Sequence, residues 1–465
     1  MQFSRIKNKL IGDKHFYSRV VAIVLPMIIQ NTVTNLVNLL DNIMVGRVGT
    51  LEMSAVAIVN QLIFVFTLCV FGGIAGAGIF STQYAGAGDV NGMRHCFRAK
   101  MIIGLLMFLI CGAIFFAFSE QLISIYLAED TSAQDAAITL GFATKYLKIM
   151  IIGLLPFAIS QVYSSTLREM GETRLPMTAS IIAIFVNISF NYLLIFGKFG
   201  FPKLGVAGAA IATVMSRYVE MIFIMVLTFV RRKQYKFIKG AFASLYVPKT
   251  LSLDILKKGT PLLFNEFLWS AGMAVLLQCY SVRGLSVVAA INISNTVNNL
   301  FSVVFLTMGN AVAIMIGQYL GANRIKEAKD SAWKLIALAV ATCALMGGIL
   351  AILAPFIPGI YNTEPEVKAL ATRFLFIVAA LMPIYAFAHN AYFTIRSGGR
   401  TIVTFLFDSA FTWGVAVPLA YILANFTGLP ILLLYLVIQS LELVKCIVGF
   451  ILIKKGIWVR NLIQE

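Results

Sequence analysis

A single carboxylate, Asp41, lies inside a long apolar stretch that also carries Asn31, Thr34 and Asn38. The four residues recur at spacings of three and four, so in a helix they share one face. A carboxylate in hydrocarbon costs several kcal/mol, and such residues therefore usually face a partner or a cavity. We predict that this face contacts water or ions and that Asp41 binds a cation.

Three further oxygen ligands occur in two later apolar stretches. Asn187 and Asn191 are one helical turn apart, and Thr213 lies in the stretch that follows. Together with Asp41 they offer the oxygen atoms that a hard cation prefers. For the amides two interpretations stay open, because hydrogen bonds between membrane helices, worth ~1 kcal/mol each, would explain them as well. For Asp41 we favour cation binding, since such contacts rarely need a charge.

A second acidic residue, Glu266, follows Pro261 by five residues. Proline frees a backbone carbonyl and bends a helix, which makes room for a polar pocket beside the carboxylate. A cation-coupling site and a gate are both compatible with Glu266. Amides and hydroxyls are predicted to line a substrate cavity: Asn31, Thr34, Asn38, Gln61, Gln161, Asn292 and Asn295.

The remaining charged groups in apolar stretches are expected to serve structure. Asp408 is expected to pair with Arg396 or Arg400, which lie in the turn before it. For His389 a proton relay is one alternative, and the favoured one is an ordinary hydrogen bond, which is commoner for a lone histidine. Two pairs at three-residue spacing are expected to neutralise themselves: Arg217 with Glu220, and Glu442 with Lys445.

The elements that position these residues are membrane-spanning helices. The chain has 465 residues, of which 60% are hydrophobic and only 12% charged, so it lacks the polar surface of a soluble protein. Apolar stretches of ~20 residues recur along almost the whole length, each long enough to cross the bilayer as a helix. We count twelve, including one over residues 138–162, and predict an all-α membrane protein.

The 37 Lys and Arg residues alternate between loops. The amino terminus with Arg5, Lys7 and Lys9 and the segment after the sixth span are basic, whereas the loop with Glu129 and Asp130 is acidic. The positive-inside rule then places both termini in the cytoplasm, which requires an even number of spans. The net charge of +17 therefore reflects topology and lipid contact, and no nucleic acid is expected. The six cysteines show no metal-binding or redox spacing, and no cofactor is expected.

The two halves of the chain repeat each other. An offset of 235 residues aligns Pro26 with Pro261 and carries the segment Gln83–Gly86 onto Gln318–Gly321, and later Arg168 and Gly171 match Arg396 and Gly399. Each half holds six spans, so the repeats are parallel, an arrangement in which transporters place the substrate path between halves. We predict an amino-terminal lobe at 1–230, a basic cytoplasmic linker at 231–255, partly helical, and a carboxy-terminal lobe at 256–465.

Four stretches resemble signatures of the multidrug and toxic compound extrusion (MATE) family. They are LPMIIQNTVTNLVNLLDNIMVGRVG, the segment Gln83–Gly86 with its repeat Gln318–Gly321, LREMGETRLP and IRSGGRT. The resemblance implies two six-helix bundles around a V-shaped cavity and a monomer in the cell inner (plasma) membrane. It implies antiport, with cationic or amphipathic drug-like molecules exported by alternating access in exchange for Na⁺ or H⁺.

The resemblance also implies roles for single residues. Asp41, Asn187 and Thr213 match a cation site of the amino-terminal lobe, which holds Na⁺ if transport is sodium-coupled. Asn191 stands where the bacterial and archaeal branch of the family often has aspartate, which removes one charge from the site. Glu266 stands where relatives frequently place an acidic residue, and Arg400 replaces an acidic residue.

Two alternatives belong to other functional classes. A flippase for a polyprenyl-linked cell-wall or polysaccharide precursor would be expected to line its cavity with Arg and Lys. No basic residue lies in the middle of the first, second, seventh or eighth span, which favours uncharged or cationic cargo. A membrane enzyme is disfavoured, because the only histidines are His15, His95 and His389 and no Ser, His and Asp constellation occurs.

Overall fold

The computed structural model describes residues 10–127 and 132–464, and within these ranges the chain is helical and has no strand. Arg5, Lys7, Lys9, Glu129 and Asp130, which contribute to the topology prediction, lie outside them. The helices are α1 (Lys14–Gly46), α2 (Thr50–Ala87), α3 (Val90–Ala117), α4 (Ser119–Ser124), α5 (Ala133–Ile152), α6 (Leu154–Glu169), α7 (Arg174–Phe196), α8 (Val206–Val230), α9 (Lys249–Ser281), α10 (Leu285–Gly321), α11 (Ile325–Leu353), α12 (Pro365–Ser397), α13 (Thr401–Phe426) and α14 (Ile431–Lys455).

Eleven helices of the described ranges are long and apolar enough to cross a membrane, and the bent pair α5 and α6 brings the number to twelve. The span predicted over 138–162 is this pair, which bends by 45°. The break falls at Gly153, three residues before Pro156. Proline has no backbone N–H to bond the carbonyl one turn earlier, so the hydrogen-bond ladder is interrupted at this place.

The described residues form two compact units. We call Ile29–Ser81 with Asp89–Gly259 the amino-terminal unit, and residues up to Ile28, Thr82–Gly88 and residues from Thr260 onward the carboxy-terminal unit. The boundaries fall within α1, near the end of α2 and within α9. These units and the predicted lobes at 1–230 and 256–465 divide the chain differently, and the lobe boundaries stay a prediction.

Each unit has its own apolar core. In the amino-terminal unit, Phe66 of α2, Leu147 of α5 and Ala210 of α8 are fully buried in one cluster. In the carboxy-terminal unit, Phe374 and Met382 of α12 are fully buried among α10, α13 and α14. Close packing of these helices holds the polar residues between them at fixed positions.

The repeat predicted from sequence is visible within the carboxy-terminal unit. A Cβ added to Gly86 would overlap the backbone carbonyl of Gln318, and one added to Gly321 would overlap that of Gln83. The two repeat-equivalent segments therefore cross reciprocally, so closely that only glycine fits at either crossing point. This explains why both repeats carry glycine at the same place.

The basic linker packs on α3 of the amino-terminal unit. The buried guanidinium of Arg98 donates hydrogen bonds to the carbonyls of Gly240 and Ala241, both at 2.8 Å, and to that of Tyr246 at 3.1 Å. A 3₁₀ turn at Lys236–Ile238 makes the linker partly helical, as predicted. One arginine thus holds both ends of the seven-residue stretch 240–246 against α3.

Replacing Arg98 by alanine is expected to release this linker. The three carbonyls lose their charged donor, and hydrogen bonds to charged groups contribute about 1.5–3 kcal/mol each. We expect trypsin to cleave the purified protein after Lys239 about tenfold faster or more, since cleavage follows local opening. Arg94→Ala is the control, because Arg94 makes one long bond of 3.4 Å to the linker carbonyl of Phe237. Equal cleavage of the two variants would contradict the prediction.

Candidate functional site

The residues predicted to bind a cation meet where α1, α7 and α8 approach one another in the amino-terminal unit. Asn191 Nδ2 donates to Asp41 Oδ1 at 2.7 Å and to Asn187 Oδ1 at 3.1 Å. The other amide atom of Asn187 lies 3.3 Å from Thr213 Oγ1. Asn187 and Asn191 are buried and Asp41 is half-buried. One carboxylate and two amides therefore contact one another, and the Thr213 hydroxyl contacts the other end of the Asn187 amide.

Asp41, Asn187 and Asn191 form a triangle in which each side chain contacts the other two. The Asn187 amide atom that faces Asp41 lies 3.0 and 3.1 Å from its two carboxylate oxygens. A carboxylate can only accept, so both amides must present nitrogen to satisfy it, and the two nitrogens then face each other. If either amide presents oxygen instead, that oxygen faces the carboxylate. Every orientation of the amides leaves one of the three contacts unfavourable.

A positive charge removes this conflict. A proton on Asp41 converts the carboxyl group into a donor, and a cation among the oxygens replaces the missing donor. Within the described ranges, no Lys, Arg or His nitrogen lies within ion-pair distance of Asp41. Asn191 Oδ1 is buried and has no hydrogen-bond partner among the described residues. Oxygen ligands of this kind suit a hard cation, and the assignment of Asp41, Asn187 and Thr213 as residues that would hold Na⁺ stays a prediction.

The residues of this unit that were predicted to line a substrate cavity lie on α1, α2 and α6 and differ in exposure. Thr34 and Asn38 are exposed, and the Thr34 hydroxyl donates to the carbonyl of Gln30 at 2.8 Å. Gln61 on α2 is exposed, and Gln161 on α6 and Asn31 on α1 are half-buried. Their assignment to a substrate cavity stays a prediction.

The carboxy-terminal unit holds the remaining predicted site residues. Glu266 on α9 is half-buried, and its carboxylate has no ion-pair partner within the described part of the chain. Asn292 and Asn295 on α10 are exposed. The role of Glu266 as a cation site or a gate, and that of the two amides, stay predictions.

Asp408 pairs with neither Arg396 nor Arg400, so that prediction is wrong. Its partner is Lys445 on α14, whose Nζ lies 3.2 Å from Asp408 Oδ1. The Arg396 guanidinium instead lies over the Phe393 ring, and Arg400 donates to the carbonyl of Ile457. Asp408 lies in a π-helical turn of α13, Leu406–Ala410. The packing of α13 and α14, which the sequence does not encode locally, selects the lysine.

The two pairs at three-residue spacing behave differently. Glu442 and Lys445 form the predicted ion pair at 2.8 Å. Arg217 and Glu220 do not, because Arg217 donates to the carbonyl of Gly153 and lies over an aromatic ring, while Glu220 accepts from Ser180. Tertiary partners on neighbouring helices therefore outcompete the nearest charge on the same helix.

His389 also departs from the sequence-based expectation. His389 Nε2 is buried without a hydrogen-bond partner in the described ranges, and the ring contacts Phe305 and Phe393 instead. Sequence reasoning missed Lys100, a fully buried lysine of α3 that forms an ion pair with Glu169. Its position within an apolar helix was the available signal, since a buried lysine almost always has a partner.

Comparison with known proteins gives the family. The MatE family model matches residues 26–193 and 261–422. The probable multidrug resistance protein NorM of Thermotoga maritima is 26% identical over 441 residues, which cover 93% of this chain and 91% of that protein. The probable multidrug resistance protein YoeA of Bacillus subtilis is 26% identical over 412 residues, covering 88% and 87%.

The fold is that of a solved transporter. The crystal structure of a variant of the Vibrio cholerae MATE transporter VcmN superposes with a TM-score of 0.85 at 17% identity, over 97% of this chain and 99% of that chain. The all-α membrane fold predicted from sequence is confirmed, and the chain is a multi-pass membrane protein. Because the two family matches cover both repeats and most of the chain, it belongs to the MatE family of multidrug and toxic compound extrusion transporters.

Proposed function

We propose that this transporter exports small cationic or amphipathic organic molecules and takes up Na⁺ or H⁺ in exchange, by alternating access. The observation that carries the proposal is the Asp41 triangle, in which every arrangement of the amides leaves one contact unfavourable until a positive charge arrives. The names of the relatives, multidrug resistance proteins, support drug-like cargo. None of these matches favours the flippase alternative.

Ion binding is coupled to a change in helix arrangement because the bound ion turns unfavourable contacts into favourable ones. With a cation or proton bound, the oxygens of Asp41 and Asn187 attract a shared charge, and without it they repel. The ion therefore binds most tightly to the arrangement of α1, α7 and α8 that brings these oxygens together. An ion that binds one arrangement more tightly than the other shifts the equilibrium toward the first. For exchange, the cargo must bind the other arrangement more tightly.

The orientation and the oligomeric state belong to the same proposal. The distribution of Lys and Arg supports cytoplasmic termini, with the basic linker on the cytoplasmic side. The resemblance to the family supports a monomer in the plasma membrane.

The test is export of a fluorescent cation such as ethidium from proteoliposomes under imposed gradients. A sodium gradient, a proton gradient, both and neither are compared in the same preparation. We expect one of the two ions to drive export against the ethidium gradient. Equal rates under all four conditions would contradict ion-coupled export.

A further inference from the structure

A second polar chain connects four helices of the amino-terminal unit. Arg168 Nη2 donates to Gln30 Oε1 at 2.9 Å, Gln30 Nε2 donates to Ser180 Oγ at 2.6 Å, and Ser180 Oγ donates to Glu220 Oε1 at 2.5 Å. Gln30 and Ser180 are buried, at 8% and 7% exposure. We call these four residues the Gln30 chain. It joins α6, α1, α7 and α8.

The hydrogen bonds of the Gln30 chain have only one direction. Arg168 can only donate, so it fixes the oxygen end of the Gln30 amide, and the nitrogen end must face Ser180. Ser180 then has one hydrogen, which it gives to Glu220. The chain runs from a guanidinium to a carboxylate, and each bond in such a chain polarises the next. A change of charge at Glu220 therefore alters the bonds that hold Gln30.

The Gln30 chain lies on the same helix faces as the Asp41 triangle. Gln30 precedes Asp41 by eleven residues, or three turns, and Ser180 precedes Asn187 by seven residues, or two turns. On α8, Glu220 follows Thr213 by seven residues. At about 1.5 Å per residue, the second polar layer lies about 10 to 16 Å from the first along these helices. Hydrogen bonds of the Gln30 chain thus join α1, α7 and α8 at a second place.

The carboxy-terminal unit has residues at the equivalent positions, with a different arrangement of charge. The repeat offset places Asn265 at the position of Gln30, and the offset that aligns Arg168 with Arg396 places Asp408 at that of Ser180. Asn265 Nδ2 donates to Asp408 Oδ2 at 3.1 Å, and Lys445 binds the other oxygen at 3.2 Å. Opposite charges are in direct contact in that network.

In the Gln30 chain two neutral groups separate the opposite charges. Within the described ranges no basic nitrogen is within ion-pair distance of Glu220, and Arg168 Nε is buried without a partner. The direct Asp408–Lys445 ion pair is the arrangement expected of a purely structural contact, and the Gln30 chain differs from it. The separation leaves Glu220 able to gain or lose charge without breaking an ion pair.

The charged groups that face Glu220 come from two helices. Arg168 of α6 and Arg217 of its own helix α8 attract it. Glu169, which is near Arg168, is paired with Lys100 of α3. From α1 and α7 the contacting groups are the neutral Gln30 and Ser180. No carboxylate competes directly with Glu220 for a proton across these contacts.

We propose that Glu220 is a second proton-binding carboxylate of the transport cycle and that Ser180 and Gln30 transmit its charge to α1. The proposal rests on the proposed ion-coupled function. A proton from the aqueous phase forms an O–H bond on the carboxylate and returns to water on the other side in a later step. While Glu220 is neutral, the Ser180 hydroxyl is no longer held by an anion, so Gln30 and the segment of α1 before Asp41 are held less tightly.

Direct proton binding is tested by infrared difference spectroscopy of the full-length protein in lipid, titrated from neutral to acidic pH. Glu220→Gln is expected to remove one carboxyl band that the unaltered protein gains on acidification. Glu442→Gln, the carboxylate of the directly paired network, is the matched control and is expected to retain that band. Identical spectra for Glu220→Gln and the unaltered protein overturn the proposal.

Transmission to α1 is tested by the Ser180 variants. Ser180→Ala breaks the chain and is expected to move the pH at which the Glu220 band appears, whereas Ser180→Thr keeps the hydroxyl and is expected to restore it. In ethidium export, Glu220→Gln is expected to change the ratio of rates at acidic and neutral pH by about tenfold, a typical coupling factor. An unmoved band in Ser180→Ala overturns the transmission step.

The two proposals fail in different ways. If the unaltered protein shows no gradient-driven export, ion coupling is refuted, and the infrared band still decides whether Glu220 binds a proton. If export is gradient-driven and Glu220→Gln behaves as Glu442→Gln does in both assays, the Glu220 proposal is refuted and the proposed function stands.

Discussion

Asp41→Asn is expected to abolish ion-driven export, lowering the ethidium export rate under an imposed gradient by about 100-fold, near the upper end of coupling factors. The reason is the hydrogen-bond pattern of the triangle. An asparagine at position 41 supplies a donor as well as an acceptor. Its nitrogen can donate to Asn187 Oδ1 and its oxygen can accept from Asn191 Nδ2, which still donates to Asn187 Oδ1, so all three contacts are favourable. The triangle then needs no cation, and ion binding therefore no longer relieves an unfavourable contact.

The measurement compares export with ethidium binding in the same preparation. Binding is expected to persist in Asp41→Asn, because the variant keeps the size and packing of the side chain. Asp135→Asn is the control, since it removes the same charge from a half-buried position at the start of α5, away from the triangle. Normal gradient-driven export by Asp41→Asn would show that Asp41 is not the coupling residue.

Asn191→Asp is expected to raise the affinity for Na⁺ by about tenfold or more. The Asn191 amide nitrogen lies 2.7 Å from Asp41 Oδ1, so a carboxylate there would place two negative charges in contact. Like charges at this distance cannot both persist without a proton or a cation between them. Hard cations bind more tightly as the number of charged oxygen ligands rises.

Calorimetric titration of the purified variant with NaCl, at constant ionic strength, checks this expectation. Asn38→Asp is the matched control, because it makes the same change at an exposed position one turn before Asp41. A change of less than twofold is expected there. If Asn191→Asp binds Na⁺ no more tightly than Asn38→Asp does, position 191 does not contact the ion.

Replacing Arg98 and replacing Asp41 or Asn191 are expected to change different properties of the protein. Arg98 holds a linker to α3 and its loss changes local opening. Asp41 and Asn191 hold a charge within a helix bundle, and their replacement changes ion binding while the apolar core around Phe66 and Leu147 stays the same. Stability measurements on each variant therefore separate loss of fold from loss of coupling.

The sequence alone determined the membrane fold and the repeat, and it singled out Asp41 as the candidate coupling residue. Each follows from a local or periodic property: the length of an apolar stretch, a constant offset between matching glycines and glutamines, and the cost of placing one carboxylate in hydrocarbon. The candidates Asn187, Asn191 and Thr213 came from spacing and from family resemblance, and the fold brings them together with Asp41.

The tertiary structure alone decided which polar groups contact each other. Gln30 meets Ser180 across 150 positions of the chain, and Asp408 takes Lys445 although two arginines lie nearer in sequence. Periodicity assigns a residue to a face of one helix, but the crossing of two helices fixes the distance between faces. For this reason only the tertiary structure decides the conflict in the Asp41 triangle and the direction of the Gln30 chain.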